Sequence, residues 1–145
     1  MKEGKKHMKI KVLLVIPGKE VQVIKISPNI KHIKAFLGED LYKVKLNEDN
    51  LLIASKNARH DDFNRIYGGN ILLGTFLIVS IKKNHRTSMK KRDIRRFTKM
   101  FRLDRHQRKI DIYREEYLEK YYLKISENKK INAINTKKFI LDMAA

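Results

Sequence analysis

The sequence predicts an α+β fold with its strands in the first half and its helices in the second, on three observations. Apolar and polar residues alternate with period two in several short stretches before residue 82. The longest run of apolar and small residues, Gly68 to Ile81, lacks polar alternation and is rich in β-branched and aromatic side chains, so it reads as a buried central strand. After it the composition inverts to Lys82-Lys83-Asn84-His85-Arg86, and apolar residues then recur at helical spacing. The expected architecture is a small antiparallel or mixed sheet of about five strands with an inserted helix, plus a helical C-terminal extension. The expected division is a core at 1–102, ending in a basic amphipathic helix, and an extension at 103–145.

Met8, Ile10, Val12, Leu14 and Ile16 fall on one face of a strand with Lys9 and Lys11 on the other, while Leu13 and Val15 predict that the second face is covered further along. Pro17-Gly18 is a type II turn pair, and Val21–Ile26 returns as the second strand of a hairpin. Ser27-Pro28 reads as a helix entry, with Ile30, Ile33, Phe36 and Leu37 as the apolar face and Gly38 as the terminator. Tyr42, Val44 and Leu46 mark a third strand, Asn47-Glu48-Asp49-Asn50 a turn, and Leu51–Ala54 a short fourth strand. The polar stretch from Ser55 to Arg65 reads as an irregular surface loop before the central strand.

Ser88 is the expected N-cap of a basic amphipathic helix through Phe101, with Ile94, Phe97 and Phe101 facing inward. A longer helix is expected from about Leu103 to Ile125, striped by Ile110, Tyr113, Tyr117 and Tyr121, with a break at Ser126–Lys130 and a weak last helix over 131–143.

Among 145 residues, 34 Lys and Arg face 16 Asp and Glu, a net charge of +18. The excess is local: residues 82–109 hold 13 basic and two acidic side chains. A helix spreads such charges over a face able to follow a phosphate backbone, so the expected partner is nucleic acid, RNA or DNA. The binding residues expected are Lys82, Lys83, Arg86, Lys90, Lys91, Arg92, Arg95, Arg96, Lys99, Arg102 and Arg105. Two other origins of the charge stay open: a merely solvated helix face, and the bias of an AT-rich genome toward Lys, Ile and Asn.

No cysteine is present, which excludes disulfides, thiolate metal sites and a cysteine nucleophile. Arg59-His60-Asp61-Asp62 is the one tight titratable cluster, but the remaining histidines stand in unrelated contexts without metal-ligand spacing. Gly68, Gly69 and Gly74 make no phosphate loop, since no Gly-Lys-Ser/Thr follows; they fit a tight turn and a close backbone approach. Serines lie near no plausible base. The expectation is a protein that is not an enzyme, with no catalytic residues, no metal and no cofactor. No apolar run reaches the length of a membrane-spanning helix and no signal-peptide pattern is present, so a cytoplasmic protein without a membrane partner is expected.

Leu14-Val15-Ile16-Pro17-Gly18-Lys19-Glu20-Val21 and Asn64-Arg65-Ile66-Tyr67-Gly68-Gly69-Asn70-Ile71-Leu72-Leu73-Gly74-Thr75-Phe76 together resemble a family of small phage, plasmid and conjugative-element proteins, the domain of unknown function number 3846, over roughly residues 11–102. The chain departs from that pattern in its basicity, in Asp61-Asp62 and in the extension after Leu103. The resemblance implies an accessory protein of a phage or mobile genetic element, with Asn64, Arg65, Gly68, Gly69 and Gly74 as the family-motif loop. Arg65 either anchors that loop on backbone carbonyls or presents its donor fork to an anion. Three uses follow: nucleic-acid binding, occlusion of a host defence protein in the manner of anti-restriction or anti-CRISPR proteins, and sequestration of a small anionic nucleotide by the motif loop. Tyr113, Tyr117 and Tyr121 offer either a protein contact or self-association into a homo-oligomer.

Overall fold

Alternation in the first strand sets the layering. In the computed structural model, which describes residues 8–129, β1 (Ile10–Val15) sends Ile10, Val12 and Leu14 to one side of a sheet and Leu13 and Val15 to the other, and both sides are buried. The remaining elements are β2 (Gln22–Ile26), α1 (Ile30–Leu37), β3 (Leu41–Asn47), β4 (Asn50–Ser55), β5 (Phe63–Tyr67), β6 (Asn70–Leu73), β7 (Phe76–Lys82), β8 (His85–Thr87), α2 (Lys91–Met100) and α3 (Leu103–Lys129). The fold is α+β, with antiparallel pairing throughout. One sheet runs in the order β2-β1-β7-β4-β3 with β8 beside β7, and β5 and β6 form a separate hairpin.

Two cores result. Ile33 and Leu37 of α1 pack with Val12, Leu14, Ile53, Leu77 and Val79 on one face. Phe97 of α2 and Phe101 just beyond it pack with Leu13, Val15, Leu52, Phe76 and Ile78 on the other, together with Leu72 from the hairpin. Burying each large side chain contributes roughly 1.5–3 kcal/mol, and β7 supplies both layers because it sits between β1 and β4.

The run from Gly68 to Ile81 is two strands rather than one. Gly68 and Gly69, at φ +58° and +78°, form the β5–β6 turn, and Gly74 at φ +69° turns the chain out of the hairpin and into β7. A Cβ on Gly74 would stand 2.9 Å from that of Ala58, so the position needs glycine for space as well as for its backbone angle. Apolar residues on both sides of this corner hide it from a periodicity test.

Other boundaries also differ from expectation. Asn29 caps α1, its side chain accepting from the Lys31 amide at 3.0 Å, while Ser27 Oγ accepts from the Asn29 amide. Ser88 is no helix cap: its hydroxyl accepts from the Lys11 amide at 2.8 Å, and the chain enters α2 through an extended Lys90. The segment after β7 makes a tight turn at Lys83 and Asn84, both at positive φ, and returns as β8. The long helix continues through Lys129 because Ser126–Lys129 contains neither Gly nor Pro. The expected helix over 131–143 and the side chain of Tyr121 lie outside the described residues.

The chain divides into two compact units within α3, the first ending at Ile110 and the second beginning at Asp111. In the second, Ile112, Tyr113 and Leu118 are exposed and Tyr117 is half-buried. No helix among the described residues is long and apolar enough to cross a membrane.

Candidate functional site

Two sets of residues stand out in the sequence, the basic side chains of 82–105 and the family-motif pair Asn64 and Arg65, and they occupy opposite environments. On α2 the inward positions are Asp93, Phe97 and the half-buried Ile94, and the circumference left over carries Lys91, Arg92, Arg95, Arg96 and Lys99, all exposed. Lys82, Lys83, Lys90, Arg102 and Arg105 are exposed as well. Arg86 is the exception: it is half-buried and its Nε donates to the Pro28 carbonyl at 2.7 Å, tying β8 to the turn before α1.

The exposed cations are not equivalent. Lys91, Arg95 and Lys99 recur every four residues, which aligns them on one stripe with a rise of about 6 Å per step, and none has a carboxylate within 4 Å among the described residues. Arg92 and Arg96 instead line a shallow cleft of about 280 Å³ with Asn47, Glu48, Asp49 and Asp93. Arg92 lies 3.7 Å from Asp93, and Arg96 sits 5.8 Å from the ring centre of Phe97. Arg102 pairs with Asp104 at 2.8 Å. The stripe is therefore the part of the helix whose charge is least neutralised locally.

The motif residues are the reverse case. Asn64 and Arg65 are fully buried on β5, which corrects the expectation of an exposed loop. A register shift between Phe63 and Arg65 makes Asn64 the extra residue of a β-bulge, so two successive side chains point inward. Asn64 Nδ2 donates to the carbonyls of Val15 (2.9 Å) and Gly74 (2.7 Å). Arg65 donates from Nε to Phe101 O (2.8 Å), from Nη2 to Lys19 O (2.6 Å) and from Nη1 to Asn64 Oδ1 (2.9 Å). One guanidinium thus holds the end of α2, the β1–β2 turn and the hairpin together. Burial lowers its pKa, and the Glu20 carboxylate opposes that shift.

Two further polar residues complete the joint, and sequence reading assigned neither of them this role. Glu20 Oε1 accepts from the Leu103 amide at the start of α3 (2.9 Å), satisfying a free helix N–H. His106, one turn into α3, stacks on Phe101 and is held at both ring nitrogens: Ile66 N–H donates to Nδ1 (3.1 Å), and Nε2 contacts Met100 O (2.8 Å). The tautomer that serves both contacts is the neutral one protonated on Nε2. Burial lowers its pKa, the Met100 contact opposes this, and Arg65, Lys109 and Arg105 reinforce it. A lone histidine three residues after the Leu103 that opens a helix gives no periodic signal, so only the tertiary contacts identify it.

A family model described as Domain of unknown function (DUF3846) matches residues 8–102. The chain belongs to that family. No curated protein and no solved structure matches it. The DUF3846 portion takes in the whole sheet, the hairpin and α2, and it ends one residue before α3 begins. Within it, the family-motif positions Asn64, Arg65, Gly68, Gly69 and Gly74 build the buried joint and its turns, while the basic stripe lies on the outer surface. No cluster of three metal-ligating side chains occurs among the described residues.

Proposed function

We propose that this DUF3846 protein is a non-enzymatic nucleic-acid-binding accessory protein that holds a phosphate backbone along the outward face of α2. The observation that carries the proposal is the stripe of Lys91, Arg95 and Lys99, exposed, evenly spaced and without a carboxylate partner among the described residues. Cations in that state release counterions from a polyanion, and binding by them falls steeply with salt and reads little sequence. A setting in a phage or other mobile element follows from the family resemblance. The guanidinium of Arg65 is buried and bound to protein oxygens, which weighs against a reading in which it holds a nucleotide.

Fluorescence anisotropy with labelled DNA and RNA oligonucleotides across a potassium chloride series tests this. Steep salt dependence in the wild type and loss of most binding in Lys91→Glu/Arg95→Glu/Lys99→Glu are expected. Unchanged binding by the triple variant would overturn the proposal. A second use, occlusion of a host protein, is favoured by the exposed Ile112, Tyr113 and Leu118, since tyrosine and aliphatic side chains are at home in protein interfaces. Retention of one defined host protein after nuclease treatment of a pull-down supports that alternative.

A further inference from the structure

Beyond α2, the sheet itself carries cations whose placement contributes nothing evident to the fold. Lys11 on β1 and Lys25 on β2 are direct cross-strand partners. They share the face of Leu13, their neighbour by alternation, and Leu13 packs with Phe97 of α2. Two lysines directly opposite each other repel, and no carboxylate among the described residues pairs with either. Lys25 is exposed and Lys11 half-buried, and a lysine so placed can keep its stem on the sheet and its ammonium group in water.

Their position ties them to the helix. The Lys11 amide donates to Ser88 Oγ, and the Met89 amide donates back to Lys11 O at 3.0 Å, so the residues that lead into α2 run along β1 at this point. Lys90 and Lys91 follow directly. Lys82, two residues beyond Ser80 on the same face of β7, extends the row past β8. Strands lie about 4.8 Å apart, so Lys25 and Lys11 stand side by side at a spacing close to the step of the helical stripe.

We infer that the nucleic-acid-binding surface is built from two elements, in which the phosphate backbone leaves the α2 stripe at Lys91 and continues across the sheet over Lys11 and Lys25. This rests on the proposed nucleic-acid function and adds two binding residues to it. The repulsion between the two lysines is relieved when phosphates lie over them, which gives the pair a use in the complex that it lacks in the free protein.

The test uses the full chain and the tighter-binding of two labelled probes, a mixed-sequence DNA duplex and a single-stranded RNA. Lys11→Gln/Lys25→Gln should reduce the slope of log K against log salt by roughly 1.4–1.8, at about 0.9 per lost phosphate contact on duplex and about 0.7 on single strand. Its Tm should equal or exceed that of the wild type, because a like-charge pair is removed. Lys25→Gln alone, on the exposed edge strand, should give half the change in slope. Lys31→Gln/Lys43→Gln removes the same charge from α1 and from the α1 side of β3, and should leave the slope unaltered. If the two double variants behave alike while charge reversal on α2 abolishes binding, the two-element surface is wrong and the helix site stands. If the wild type binds neither probe in a salt-dependent way, both fall.

Discussion

Arg65 in the β5–β6 hairpin and Arg95 on the outer face of α2 carry the same guanidinium into opposite surroundings. The first is fully buried and donates to four backbone or side-chain oxygens drawn from three segments of the chain. The second is exposed and makes no ion pair among the described residues. A cation whose three nitrogens are all engaged by protein oxygens is part of the fold, and one whose donors face water is free to meet a ligand. Within one small domain, therefore, the family motif and the charge excess answer different questions.

Removing Arg65 should have the largest effect. Arg65→Ala strands the carbonyl of buried Phe101, releases the β1–β2 turn at Lys19 and leaves a cavity, and a loss on the order of 4 kcal/mol in urea denaturation is expected. Arg65→Lys should recover little of it, since an ammonium cannot span the three segments that the planar fork joins. A loss below about 1 kcal/mol would dissolve the contrast between the two regions.

An intermediate effect is expected from pH. The fold binds His106 neutral and lowers its pKa below the ordinary 6.5. The unfolded chain therefore takes up its proton first as pH drops through that value, so stability falls below about pH 6.5 and levels off only below the folded pKa. Protonating Nδ1 would also turn it against the Ile66 N–H. Chemical denaturation between pH 7 and 5 should show this slope in the wild type and a smaller one in His106→Asn, which keeps an acceptor and a donor without titrating.

The smallest effect belongs to the outer face. Arg95→Ala should shift Tm by no more than about 3 °C while weakening binding to a nucleic-acid probe. A large thermal shift would mean that the stripe supports the fold.

The parts of this molecule that were legible in the sequence are those whose signal is periodic. Alternation located β1 and β3, and the turns after those strands located β2 and β4, all to within two residues, and the spacing of Phe97 and Phe101 oriented α2 so that its basic residues had to face out. Illegible parts depended on breaks in period. The bulge at Asn64 disguised a buried strand as a polar loop, the corner at Gly74 merged two strands of different sheets, and β8 is too short and too polar to show alternation. Ser88 has the right chemistry for a helix cap, but its hydroxyl meets the amide of a residue 77 positions away, which no local rule anticipates.

The position of β7 at the centre of the sheet bears on how the chain reaches its native state. Hairpins β1–β2 and β3–β4 close over short loops, whereas β1 meets β7 across 61 to 65 residues of chain, pairing Leu13 with Ile78, Leu14 with Leu77 and Val15 with Phe76. Loop-closure entropy must be overcome before that pairing returns any energy, and such high contact order slows folding. During synthesis the two hairpins wait with open inner edges until β7 emerges, so the interval before residue 82 is translated is when the nascent chain is most exposed to wrong strand pairing.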